Sequence, residues 1–208
     1  MRARDQLIGA LLLGVVTYVG VFRIAQAKSD AEVGGEGVLL DPKQTEDFAA
    51  LTRLQDELTA MGQGLLRDRI AALSAARELW VAPRLGAERW AAYVESLGLV
   101  RRIYIRRIAL RDPVRQLYPA GAPDVPPDHL EAFAWLSLAG AMRHEIAHYD
   151  GAIEETSAYQ VELAWYDEVR RSPFFVEKRD DDQKAWDWAL RSAVTSARRA
   201  AQTAASGR

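Results

Sequence analysis

Five consecutive residues, His144-Glu145-Ile146-Ala147-His148, constrain this chain more than any other stretch. Two histidines four positions apart lie one turn apart on a helix and project from the same face. Their imidazoles can then share one tetrahedral cation such as Zn²⁺. Glu145 points about 100° around the helix from His144, so it can act on a water without being a ligand. That divides the labour of metal-assisted hydrolysis: the metal acidifies the water and the carboxylate takes its proton. The chain has three histidines, and two of them are spent on this motif.

The motif closes a longer helical pattern. Leu130, Phe133, Ala134, Leu138, Ala141, His144 and His148 recur at helical spacing, which sets the histidines on or beside a buried stripe. Unliganded imidazoles would be costly there. Asp128, after Pro126-Pro127, is placed to cap the N-terminus and Gly151 to close the C-terminus. The same five residues also read as the solvated face of an exposed, metal-free helix. The uncharged pair Ile146-Ala147 inside the motif favours a helix half buried beneath a site.

From Asp128 to Tyr159 the chain resembles the active-site segment of the zincin metallopeptidases. No histidine follows His148, so the metzincin pattern is absent. The likeness is to the glutamate-type zincins (gluzincins, the thermolysin-like group), in which the next helix supplies a ligand in an ExxA pattern. Glu155-Thr156-Ser157-Ala158 fits that pattern, with Tyr159 where an Asp is usual. The connection from His148 to Glu155 is shorter than in thermolysin-like enzymes, and Asp150 replaces a hydrophobic residue. The resemblance implies an α+β, mainly α fold: a zincin-like helical core with a short β-strand or small sheet before the active-site helix. It implies Zn²⁺ on His144, His148 and Glu155, with Glu145 as the catalytic base. Helical spacing puts Glu155, Tyr159 and Glu162 on one face, so Glu162 competes as third ligand, and Glu154 more weakly. Tyr159 is a candidate donor to a tetrahedral intermediate, and it also reads as a packing tyrosine.

The expected function is therefore a zinc-dependent peptidase acting on a peptide or protein substrate. The alternative is a non-catalytic, membrane-tethered helical interaction domain with a structural or vestigial metal site. A carboxylate di-iron bundle would use Glu145-Ile146-Ala147-His148 as a Glu-x-x-His motif, but it needs that motif twice. Three residues before His129 and His144 stand Pro126 and Ala141, so no second copy exists.

The N-terminus bears on location. Arg2 and Arg4, partly offset by Asp5, precede an apolar run from Leu7 to Phe22, and Ala25-Gln26-Ala27 gives a small-x-small cleavage pattern. The run reads as a signal peptide or a membrane anchor. Either one exports the rest of the chain, so the domain is expected outside the cytoplasm, periplasmic or at the cell surface. The absence of cysteine suits an oxidising compartment and excludes thiolate chemistry. A net charge of −2 gives no bulk attraction for nucleic acid.

The expected organisation is a signal or anchor over 1–27, an exposed Gly/Asp/Glu/Ser-rich linker over 28–44, and one catalytic domain over 45–208 with its metal core at about 99–170. Thr45 to Leu79 reads as helical, with Phe48, Leu51, Leu54, Leu58, Met61 and Leu65 on one stripe and Gly62 and Gly64 dividing it. Ala87 to Leu97 reads as a short helix with Trp90, Tyr93 and Leu97 inward. Leu99 to Leu110 reads as a strand, whose arginines are solvated or, by the resemblance, face an edge-pairing peptide. Arg111 to Pro127 reads as a loop. Ile153 to Val169 and Asp180 to Ala205 read as helices, with Ser172-Pro173 ending the first.

Overall fold

The computed structural model describes residues 2–86, 89–118, 125–177 and 181–206, without the side chains of 2–16, 181 and 182. The starts of two expected helices at Ala87 and Asp180, and the loop residues Pro119, Gly121 and Pro123, lie outside the described residues, as do the side chains of Arg2, Arg4 and Leu7 to Val16. In chain order the elements are α1 (Arg2–Glu32), β1 (Val38–Leu39), α2 (Thr45–Ala60), α3 (Gly64–Ala75), β2 (Leu79–Ala82), β3 (Ala91–Ser96) and β4 (Val100–Arg106). There follow α4 (Arg107–Arg111), α5 (Pro113–Leu117), α6 (Pro127–Tyr149), α7 (Glu155–Arg171), α8 (Pro173–Glu177) and α9 (Asp181–Ser206). The fold is α+β and mainly α, with one small mixed sheet among the described residues.

The sheet runs β1-β2-β4-β3, with β2 parallel to β4 and both edge strands antiparallel to their neighbours. Central β4 shows the period of two: Ile103 and Ile105 enter the main core with α2, α3 and α6, while Tyr104 enters a second cluster with Val33, Leu85 and Val94. Each such side chain, fully buried, stabilises the fold by roughly 1.5–3 kcal/mol. Two expectations are corrected here. The strand expected over Leu99–Leu110 stops at Arg106, because Ala109 and Leu110 are buried by helix α4 instead. The segment expected as a helix over Ala87–Leu97 is strand β3, paired with β4 from Ala91↔Ile105 to Ser96↔Val100. That hairpin turns through Leu97 and Gly98, both at positive φ (53° and 65°), as a primed turn requires. Leu97 is 56% exposed rather than inward.

Helices α2 and α3 divide where expected. Gly62 takes φ 70°, and the Gln63 N–H bonds back to the Leu58 carbonyl at 2.7 Å, closing α2. Leu65, expected on the buried stripe, begins the next helix and is 90% exposed. The segment expected as an exposed linker carries buried Ser29, Val33 and Leu40. Its polarity is satisfied inside the fold: Ser29 Oγ and Tyr104 OH are 2.8 Å apart, and Asp30 lies 3.9 Å from Arg102, whose guanidinium stacks 3.7 Å from the Trp80 ring centre. Among the described residues no helix is long and apolar enough to cross a membrane.

Helix α6 crosses the core beside β3 and β4 and packs on α7 and α9. It starts at Pro127, a residue with no N–H to leave unpaired, so Asp128 lies inside the first turn rather than capping it. Its C-terminus closes on Gly151 as expected: φ is 114°, and the Gly151 and Ala152 N–H groups donate to the carbonyls of His148 and Ala147 at 3.0 and 2.9 Å. The expected loop before α6 contains α5, whose N-cap Asp112 accepts the Arg115 N–H at 3.0 Å. Ser172 ends α7 as expected, while Pro173 opens α8. Ile153 lies outside α7 and is 95% exposed.

Candidate metal centre

His144 and His148 fall one turn apart near the end of α6, with ring centroids 4.9 Å apart. The tight turn after α6 then starts α7 at Glu155, directly over the two rings. His144 Nε2 lies 3.2 Å from His148 Nε2 and 3.2 Å from Glu155 Oε2, and His148 Nε2 lies 3.6 Å from Glu155 Oε1. A tetrahedral cation with bonds of about 2.0–2.2 Å sets its ligand atoms roughly 3.3–3.6 Å apart. The three donors therefore stand near the spacing that one cation needs, and the group could hold a metal ion. Glu155 is exposed, which leaves an open side toward the cleft.

The outer contacts orient these ligands. His148 Nδ1 faces the Ala152 carbonyl at 2.6 Å. The carbonyl can only accept, so Nδ1 carries the proton and Nε2 keeps its lone pair for a cation. His144 Nδ1 faces Glu162 Oε2 at 3.4 Å, and Glu162 Oε1 accepts the Tyr166 hydroxyl at 3.1 Å. Glu162, the rival third ligand in the sequence, thus stands behind His144 on the nitrogen away from the cation site. Glu154 is outside the group, its carboxylate accepting from Thr156. Gly140 makes this arrangement possible: a Cβ there would lie 2.0 Å from the Tyr166 hydroxyl oxygen. Burial pulls the His144 pKa down, but the Glu162 carboxylate, with Glu145 and Glu155, outweighs it and leaves the pKa raised.

Glu145 and Tyr159 complete the near surroundings. Glu145 Oε2 accepts the Tyr93 N–H of β3 at 2.6 Å. Burial raises the Glu145 pKa, against the lowering pull of His144, of the Tyr93 N–H and of His148. Tyr159 packs its ring 4.3 Å from that of His144. Desolvation raises its pKa, followed by Glu162, Glu155 and Glu145, so its hydroxyl stays protonated at neutral pH. All of these residues line a cleft of about 1190 Å³ between β3 on one side and α9, through Ala193, Ala197 and Ala200, on the other.

The sequence groups His144, His148, Glu155, Glu145 and Tyr159, and the fold gathers all five. It gives no sign of the Tyr93 N–H or the Ala152 carbonyl, because main-chain groups leave no side-chain signature. Tyr166 is a further member that the motif does not include, although its position four residues after Glu162 is a signal. His129, the remaining histidine, packs at a tilt against Trp188 outside the site, with ring centres 5.7 Å apart. The free sheet edge beside the motif belongs to β3 and not to β4, which is paired on both sides. Comparison with protein-family models, curated proteins and solved structures found no match.

Proposed function

We propose that this chain is a zinc-dependent peptidase, with Zn²⁺ held by His144, His148 and Glu155. The observation that carries the reading is the spacing of 3.2, 3.2 and 3.6 Å among three donor groups beside a half-buried glutamate that ligates nothing. The donor set of two imidazoles and one carboxylate, with no thiolate, fits a hydrolytic zinc with an open position. When bound, zinc would supply Lewis acidity, polarising the peptide carbonyl and making water acidic enough to attack. Glu145, its pKa raised by burial, takes one proton from the attacking water. The water oxygen bonds to the carbonyl carbon, the C–N bond breaks, and Glu145 passes the proton to the leaving nitrogen. The products are a carboxylic acid and an amine. The Tyr159 hydroxyl, protonated and beside His144, serves as a hydrogen-bond donor to the oxyanion that develops. The apolar run before Phe22 supports export of the domain, as a secreted or membrane-anchored protein.

The test joins metal content to hydrolysis. Purified protein is expected to carry one zinc per chain by elemental analysis, and His148→Ala none. Glu145→Gln is expected to keep zinc while cleavage of a mixed peptide substrate drops by ~10² or more. Zinc unchanged in His148→Ala, or iron in place of zinc in the parent, overturns the metal assignment. Equal cleavage by Glu145→Gln and parent overturns Glu145 as the base, and no cleavage by the zinc-loaded parent overturns the peptidase reading.

A further inference from the structure

We infer that the backbone N–H of Tyr93 positions the base Glu145, a role that rests on the peptidase reading above. The register of β3 makes this N–H available. The Arg106 N–H donates to the Trp90 carbonyl at 2.9 Å, so Trp90 turns its main chain toward β4. Alternation then turns Ala92, Val94 and Ser96 the same way and leaves the main chains of Ala91, Tyr93 and Glu95 facing off the sheet edge. An outward donor on an edge strand ordinarily meets water. This one meets Glu145 Oε2 at 2.6 Å, at the short end for an N–H donor.

Among the described residues Tyr93 is the only hydrogen-bond donor to Glu145, so one main-chain group fixes where that carboxylate points. A backbone donor in a paired strand loses no side-chain freedom and cannot rotate away, which suits it to hold a base that must stay beside the cation site. The Tyr93 side chain is engaged elsewhere: its hydroxyl donates to Glu95 at 2.6 Å, and its ring meets Tyr149 edge-on at 5.9 Å. The N–H and the phenol are therefore separable by experiment.

Tyr93→Pro deletes the N–H without removing a ladder bond, because the donor faces away from β4. Replacing the Tyr93 amide by an ester deletes the same N–H and keeps the phenol and the strand conformation, so it stands in if the proline variant fails to fold. Tyr93→Phe keeps the N–H. The full chain carrying each change is assayed for bound zinc and for kcat and KM on a peptide that the parent cleaves. The ester is expected to keep zinc and KM while kcat falls ~10-fold or more, and further than in Tyr93→Phe. An ester variant with the parent kcat, alongside a Glu145→Gln variant that is inactive, overturns the positioning role and leaves the peptidase reading standing. Loss of zinc from the ester also overturns it, since the N–H would then support the metal site at large. Full activity in both the ester and Glu145→Gln is the separate result that removes Glu145 from the base role on which this inference rests.

Discussion

At the start of α2, Asp47 is only 2% exposed and lies between two guanidinium groups, with Arg107 at 3.3 Å and Arg111 on its other oxygen. In the cleft, Glu145, Glu155 and Glu162 gather around two imidazoles, and among the described residues no arginine or lysine pairs with any of them. The first group is complete in itself: the chain supplies both signs of charge, and the pairing ties α2 to α4. The second meets its carboxylates with the two imidazoles, the Tyr93 N–H and the Tyr166 hydroxyl. The difference separates a charge cluster that pairs within the chain from one that could hold a metal ion.

The comparison can be broken most forcefully within α7. On the proposed reading Glu155→Ala removes a ligand and Glu162→Gln removes a contact behind one. Loss of an outer partner costs roughly 10–100-fold in metal affinity, and Glu155→Ala is expected to lose more than that, measured by competition with a coloured chelator. Equal losses would mean that the two glutamates share one role. A smaller effect is expected at the other cluster. Asp47→Ala leaves Arg107 without its partner and Arg111 with Glu46 alone, each arginine about a third exposed, and is expected to lower the stability of the chain by about 2 kcal/mol in urea unfolding, with zinc content unchanged. A zinc-deficient Asp47→Ala protein would show that the two regions are coupled.

The smallest effect concerns Tyr149, which follows His148 and sits between the clusters in character. Its ring lies under Arg69 and Arg101, 5.4 and 4.4 Å from its centre, and its hydroxyl donates to Glu78. Desolvation first, then the Glu78 carboxylate, raise its pKa to about 12. The unfolded phenol ionises near pH 10, so the folded state holds the extra proton above that pH. Stability is therefore intact below pH 10 and falls as pH rises toward 12. Urea midpoints at pH 9 and 11 should show this decline, and Tyr149→Phe should flatten it; an unchanged decline in the variant assigns it to other groups.

How much of the molecule is legible in the sequence depends on where the deciding contacts lie. Helix α6 is readable because its apolar period, its glycine stop and its two histidines all agree on one conformation. Strand β3 is not, since Trp90, Tyr93 and Leu97 recur at three and four, a helical period, while the pairing partner that makes them a strand lies in β4. The 28–44 segment reads as exposed because Ser29 and Asp30 are polar; their partners Tyr104 and Arg102 lie more than seventy positions away. For the metal group, all donors sit on two adjacent helices, so helical geometry alone orders them. The same geometry does not say which side of His144 Glu162 takes, because that depends on the space opened at Gly140.

The tight turn between α6 and α7 also sets the order in which this molecule can be built. His144 and Glu155 are eleven positions apart, and the Ala152 carbonyl that holds His148 comes from the same turn. Closing so short a loop costs little entropy, and contacts this local form early. The donors His144, His148 and Glu155 therefore all belong to one helical hairpin. The proposed base is different: Glu145 meets the Tyr93 N–H fifty-two positions back along the chain. On the proposed reading, metal binding would draw on the hairpin alone, while the proposed base would also need β3 docked beside it.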